Sequence, residues 1–177
     1  LAALGELIVE KSGVLNLGVE GMMIIGAVAG FIVGVETGSA YTGMIAAAVA
    51  GALLSLLFAF IILIMQANQV ASGLALTIFG LGIAALMGHP YTGIKSPQIS
   101  TISIPILNEI PIIGTMFFQH DLIVYISLIS VLVIWYFLNR MRAGLILRSV
   151  GEDHDVAHSL GYRVITIRFL AIVFGGA

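Results

Sequence analysis

Long runs of apolar residues separated by short polar breaks organise this chain. Residues 14–35, 43–65, 70–88 and 122–138 form four such runs, and another opens at Phe169 and continues to Ala177. At a helical rise of 1.5 Å per residue the first run covers about 33 Å and the fourth about 26 Å, enough to cross or nearly cross a hydrocarbon core of about 30 Å. The runs are rich in Leu, Ile, Ala and Gly and lack the two-residue alternation of a membrane barrel, so they predict helices. Residues 1–9 read as the tail of one more helix. The expected fold is all-α, one polytopic helical membrane domain with about five spans. Leu1 and the closing Gly175, Gly176 and Ala177 read as cut ends, and no targeting peptide is legible.

The basic residues set an orientation. Arg140, Arg142, Arg148, Arg163 and Arg168 all lie between the fourth and fifth runs, whereas residues 89–121 hold only Lys95. The positive-inside rule therefore predicts that residues 139–168 are a cytoplasmic loop. Counting crossings backward puts residues 89–121 outside, 66–69 inside, 36–40 outside and 10–13 inside, where Lys11 agrees. Pro90, Pro97, Pro105 and Pro111 all fall in the outer segment, where they break helices and set up turns. Residues 104–113 are too apolar for a solvated linker and are expected to pack on the membrane face or meet a partner.

Composition agrees with lipid as the solvent: 60% of the 177 residues are hydrophobic and 9% charged, with a mean hydropathy of +1.15. A net charge of −2 with seven Lys and Arg leaves no basic surface for nucleic acid. Cysteine is absent, which excludes disulfides, thiol chemistry and thiolate metal sites. Gly26, Gly30 and Gly34, and then Gly43, Ala47, Gly51, Ser55 and Ala59, recur every fourth residue. Each set places small side chains along one helix stripe, as close bundle packing requires.

Polar residues inside these runs are the candidates for function. Asn16 and Glu20 lie one helical turn apart, with Gly18 and Gly21 between and beside them. A carboxylate at the bilayer centre costs about 2.5–3.5 kcal/mol on insertion scales, so Glu20 should face protein or water. One reading is a glycine-loosened helix lining a translocation cavity; the other is a residue at the inner interface, or one bonded to a neighbouring helix for assembly. Asn68, Gln69 and Ser72, with Gln66, form a second cluster, read as a short cytoplasmic turn or part of the inner mouth of a pathway. Glu6 and Glu10 share a helix face and mark a membrane boundary.

The predicted cytoplasmic loop carries an island of charge from Arg148 to Arg168. Gly151 and Gly161 bracket a short segment in which Val156, Ala157 and Leu160 are expected on one helical face. Glu152, Asp153 and Asp155 fall in its first turn, where the helix dipole favours acids. Such a helix suits either docking into a groove on a soluble partner or a solvated connector. His154, Asp155 and His158 resemble a zinc-protease pattern, but the acid is Asp, no third ligand is evident, and metal catalysis is not expected.

Several stretches together resemble the permease subunits of ABC importers for simple sugars and nucleosides, related to ribose and branched-chain amino acid permeases. Gly5 and Glu6 followed by residues 11–23 (KSGVLNLGVEGMM) resemble the family's amino-terminal signature, and residues 68–76 (NQVASGLAL) its segment at the start of a later span. Residues 104–114 with 122–125 look like the outer loop and next helix of nucleoside-type members. In residues 148–164, Gly151, Glu152, Ala157 and Gly161 match the family's coupling loop. Asp153, His154, Asp155, His158 and Ser159 depart from its more Asn-, Pro- and Ala-rich run. The resemblance implies the amino-terminal and middle part of an alternating-access permease in a bacterial-type inner membrane. Its expected partners are a cytoplasmic ATP-binding subunit, a second permease subunit and an external solute-binding protein.

On that reading Asn16, Glu20, Asn68, Gln69 and Ser72 line the solute path. Arg148, Gly151, Glu152, Asp153, Val156, Ala157, Leu160 and Gly161 engage the ATPase. The resemblance implies that the chain binds no cofactor and is no enzyme, ATP being hydrolysed in the partner subunit, which agrees with the absence of a Gly-rich loop ending in Gly-Lys-Ser/Thr. The rival reading is an ion-coupled secondary transporter with Glu20 as its cation site; a purely structural membrane anchor is a third.

Overall fold

A computed structural model of the chain describes residues 1–97 and 121–177. The described residues form helices and connecting turns, with no strand among them. The helices are α1 (Ala2–Lys11), α2 (Val19–Thr37), α3 (Ala40–Ala59), α4 (Gln69–Gly88), α5 (Leu122–Arg140), α6 (Arg142–Glu152), α7 (His154–Ser159) and α8 (Val164–Gly176). A π turn, Phe60–Ile64, extends α3, and a 3-10 turn, His89–Tyr91, extends α4. Four of the helices, α2, α3 with its π turn, α4 with its 3-10 turn, and α5, are long and apolar enough to cross a membrane. A helix satisfies its backbone internally, which is what hydrocarbon demands. The apolar segment 104–113, with Pro105 and Pro111, lies outside the described residues.

Glycines fix how these helices approach. α2 and α3 form an antiparallel hairpin in which a Cβ on Gly26 would lie 3.2 Å from the Ala47 carbonyl, and one on Gly30 2.8 Å from that of Gly43. The stripe on α3 continues past α2, because Gly51 and Ser55 carry the contact with Gly176 of α8. α2 and α4 run parallel: Gly18 meets Gly73, Gly21 meets Gly80, and Val28 meets Gly88. α1 runs antiparallel to α8, with Gly5 against Gly175. Without a water-driven hydrophobic term between helices in lipid, such backbone proximity supplies the van der Waals contact that holds the bundle.

Turn chemistry closes the hairpin between α2 and α3. Gly38 sits at φ 68°, a left-handed cap that ends α2. Thr37 and Thr42 share a hydroxyl bond at 2.5 Å across the turn. Buried Phe58, Met22, Leu76 and Ile172 form the central core, and Ile8, Ile134, Leu138, Leu147 and Ala171 join α1, α5, α6 and α8 in a second cluster.

Three boundaries differ from the sequence expectation for physical reasons. The apolar run 14–35 is helical only from Val19, because Gly13 at φ 82° ends α1 and residues 14–18 follow as a non-helical strap. The fifth apolar helix begins at Val164, ahead of Phe169, since the polar residues Thr166 and Arg168 are carried within it. Residues 139–168 are more ordered than a loop. α6 breaks from α5 at Met141, and Gly144 seats directly on the Phe137 backbone. Its buried Gly144, Leu147 and Val150 recur every third residue and turn one face onto the bundle.

Candidate functional site

Lys11, the strap, the start of α4, α6, α7 and the start of α8 share one end of the bundle, together with Arg140, Arg142, Arg148, Arg163 and Arg168. Glu36, bonded to Tyr91, lies at the opposite end.

The strap between α1 and α2 has exposed backbone that lipid would not tolerate, and side chains satisfy it. The Leu15 N–H donates to Gln69 Oε1 at 2.9 Å, and the Asn16 N–H to Glu6 Oε1 at 3.3 Å. The Gly18 N–H donates to Asn16 Oδ1 at 3.0 Å, while Thr77 Oγ1 donates to the Leu17 carbonyl at 3.0 Å. Gly73 lets α4 approach, since a Cβ there would sit 3.0 Å from the Leu17 and Gly18 amide nitrogens. Asn16 is 2% exposed, and its amide nitrogen also reaches Met22 Sδ at 3.6 Å.

The five proposed pathway residues are thus separated into roles. Asn16 and Gln69 are joined through the strap. Asn68 caps α4 by accepting the Ala71 N–H at 3.1 Å, and Ser72 is half-buried one turn along. Glu20 is exposed in the first turn of α2, where the helix dipole favours a carboxylate, and does not share a helix face with Asn16 because Asn16 precedes the helix. A cavity of about 590 Å³ opens between α1, α2, α3, α5 and α8, lined by apolar side chains such as Met22, Met44, Ile134 and Phe174. None of the five residues lines it.

On the other side of the same end, α6 and α7 form one seated unit. Asp153 lies between them and accepts the N–H groups of Asp155 at 3.0 Å and Val156 at 3.1 Å, capping α7. Ala157, 1% exposed, packs under α7 against Val150 and Val164. Val156 and Leu160, four residues apart, are 54% and 68% exposed. The outward apolar face is therefore Val156 with Leu160, while Ala157 points inward, since adjacent helical residues diverge by about 100°. Arg148 is half-buried on α6, and Glu152 is exposed at its end. Gly151 packs against Lys11 and Gly13, and Gly161, at φ 87°, turns the chain toward α8. His154 and Asp155 contact each other at 3.4 Å on the exposed surface. No group of three His, Cys, Asp or Glu side chains is placed to hold one ion among the described residues.

Sequence reasoning passed over Thr77, Ser12 and Arg168 as site residues. Thr77 is a polar residue inside an apolar run, which was the available signal, whereas Ser12 and Arg168 lie in polar breaks beside such runs; Ser12 is fully buried, and its hydroxyl donates to the Val9 carbonyl at 2.6 Å.

Four helices long and apolar enough to cross a bilayer, with a short capped helix beside one end of the bundle, define a helical multi-pass membrane protein. Residues 1–177 match the family described as branched-chain amino acid transport system / permease component, and the chain belongs to that family. It is 38% identical over 180 residues to the putative glucose ABC transporter permease protein TsgC13 of Haloferax volcanii, covering 99% of this chain and 55% of that protein. The guanosine ABC transporter permease protein NupQ of Bacillus subtilis is 35% identical over 99% of this chain and 59% of its own length. The nucleoside ABC transporter permease protein NupC of Lactococcus lactis is 31% identical over 98% and 58% respectively. The chain thus spans little more than half the length of these relatives. No solved structure matches it. It is a multi-pass inner-membrane protein.

Proposed function

We propose that the chain is a membrane-spanning part of an ATP-driven ABC importer that moves a small polar solute, a nucleoside or simple sugar, by alternating access. The observation that carries this is α7: a capped helix at the Arg-rich end, seated by Ala157 and presenting Val156 and Leu160 outward. An apolar pair on a short capped helix among charges fits a groove on a soluble partner. That partner is a separate cytoplasmic ATP-binding subunit, and ATP binds and is hydrolysed there. A second permease subunit and an external solute-binding protein complete the assembly, and Asn16, Glu20, Asn68, Gln69 and Ser72 belong to the inner mouth of the path. Closure of the ATPase pair moves α7 and switches the cavity from one side to the other.

Family membership supports this reading over an ion-coupled carrier. The position of Glu20 in the first turn of α2 is accounted for by the helix dipole alone. The test is solute uptake by the full-length protein, purified with its co-purifying subunits and reconstituted in vesicles. Uptake is expected to require ATP and to survive collapse of ion gradients. Uptake that persists without ATP and stops with the gradient contradicts the proposal.

A further inference from the structure

Arg168 is the point where three elements of the basic end meet. Its Nε–H donates to the Ser12 carbonyl at 3.1 Å, and its Nη2–H reaches the Val150 carbonyl at 3.5 Å. Ser12 caps the carboxyl end of α1, and Val150 lies in the last turn of α6. Both carbonyls therefore belong to helix ends that leave acceptors unpaired and carry partial negative charge. Among the described residues no carboxylate is in ion-pair contact with Arg168, so two helix ends supply its counter-charge. A guanidinium presents its donors to both in a rigid planar fork, whereas an ammonium, though it has three donors, holds them on a shorter and more flexible stem that fixes the junction less well.

The two helix ends also touch directly. A Cβ on Gly151 would lie 3.0 Å from the Gly13 nitrogen, and one on Gly13 would meet both Gly151 and the Arg168 guanidinium at 3.0 Å. From Gly151 the chain runs through Asp153 into α7, which rests on Val150 through Ala157. From Gly13 it runs into the strap, which Gln69 and Thr77 fasten to α4.

We propose that Arg168 is a positioning residue that bolts the α6–α7 unit to the strap, so that a displacement of α7 is delivered to α4 and to the start of α2. This rests on the reading of α7 as the surface that receives the ATPase. The residues that fasten the bolt are backbone carbonyls, so the junction is set by helix geometry and not by a titrating partner.

The test uses the full-length protein with its co-purifying subunits, in a cysteine-free background, with spin labels on the exposed pair Lys11→Cys and Glu152→Cys. The unaltered junction is expected to give one narrow distance distribution that holds its position when the complex is trapped with ATP. Arg168→Gln should broaden it, and Arg168→Lys, which keeps the charge but lacks the planar fork, should give an intermediate width. In vesicles Arg168→Gln should retain the ATPase subunit and its hydrolysis while uptake per ATP falls about tenfold, with partial recovery in Arg168→Lys. A distribution as narrow in either variant as in the parent, or unchanged uptake per ATP, overturns the proposal. Where Arg168→Gln does not fold, the width for Arg168→Lys decides the matter. Failure of the importer reading itself shows separately, as a parent protein that purifies with no ATPase subunit, and the distance widths remain decisive in that case.

Discussion

The side-chain oxygen of Gln69 accepts the backbone N–H of Leu15 at 2.9 Å, tying a non-helical strap to the first turn of a helix that follows it by a whole hairpin. Thr77 fastens the strap three peptide units further on, at the Leu17 carbonyl. The strap is thus held by α4 as well as by Glu6 of α1. Gln69→Leu and Thr77→Val keep side-chain volume and remove these bonds. Each is expected to destabilise the protein by about 0.5–1.5 kcal/mol, the net worth of an exposed hydrogen bond. Denaturation midpoints in detergent check this, and a pair of midpoints equal to the parent's would show that the strap is held otherwise.

Glycine spacing on α4 offers a controlled comparison. A Cβ on Gly80 would sit 2.8 Å from Gly21, whereas nothing lies within 4 Å of one on Gly82. Gly80→Ala should therefore part α2 from α4 and cost about 1–3 kcal/mol by overpacking. Gly82→Ala should be neutral, or stabilising by up to about 1 kcal/mol through helix propensity. Thermal midpoints of the two variants are the readout, and equal losses would contradict the packing.

Asp153 holds the first turn of α7 through two backbone N–H groups. Asp153→Ala is expected to cost that turn about 1 kcal/mol, and Asp153→Asn much less. Amide exchange at Asp155 and Val156 should speed up in the first variant and stay near the parent rate in the second.

Ala157 and Leu160 differ in what they face, and their substitutions should differ accordingly. Ala157→Glu drives a carboxylate into the Val150 and Val164 cluster and should unseat α7, at about 3 kcal/mol or more. Leu160→Ser should leave stability within about 0.5 kcal/mol of the parent. On the importer reading it also lowers ATP-driven uptake about tenfold by removing an apolar anchor. Melting curves and uptake assays separate the two effects.

The spans of this fold were legible because apolar length is a sequence property, and so was the small-residue stripe that became the contact of Gly30 with Gly43. The strap was not. Val14 to Gly18 look as apolar as the helix that follows, and what holds them outside it is Gln69, Glu6 and Thr77, apart in sequence and with no local pattern to announce them. The charged island was visible as a helix, but which of Val156, Ala157 and Leu160 turns outward depends on how Val150 and Val164 approach it. α6 was read as loop because its charged residues mask the three-residue recurrence of Gly144, Leu147 and Val150. Arg168 was counted only as a positive-inside charge, since its partners are carbonyls, which every residue possesses.

The most direct measurement is site-specific crosslinking from a cysteine placed at Leu160 in the full-length protein, in intact cells. The account predicts that only a membrane-permeant thiol reagent labels it and that the crosslinked product contains an ATP-binding protein. Labelling by an impermeant reagent from the cell exterior, or a crosslinked product that never includes such a protein, would contradict it.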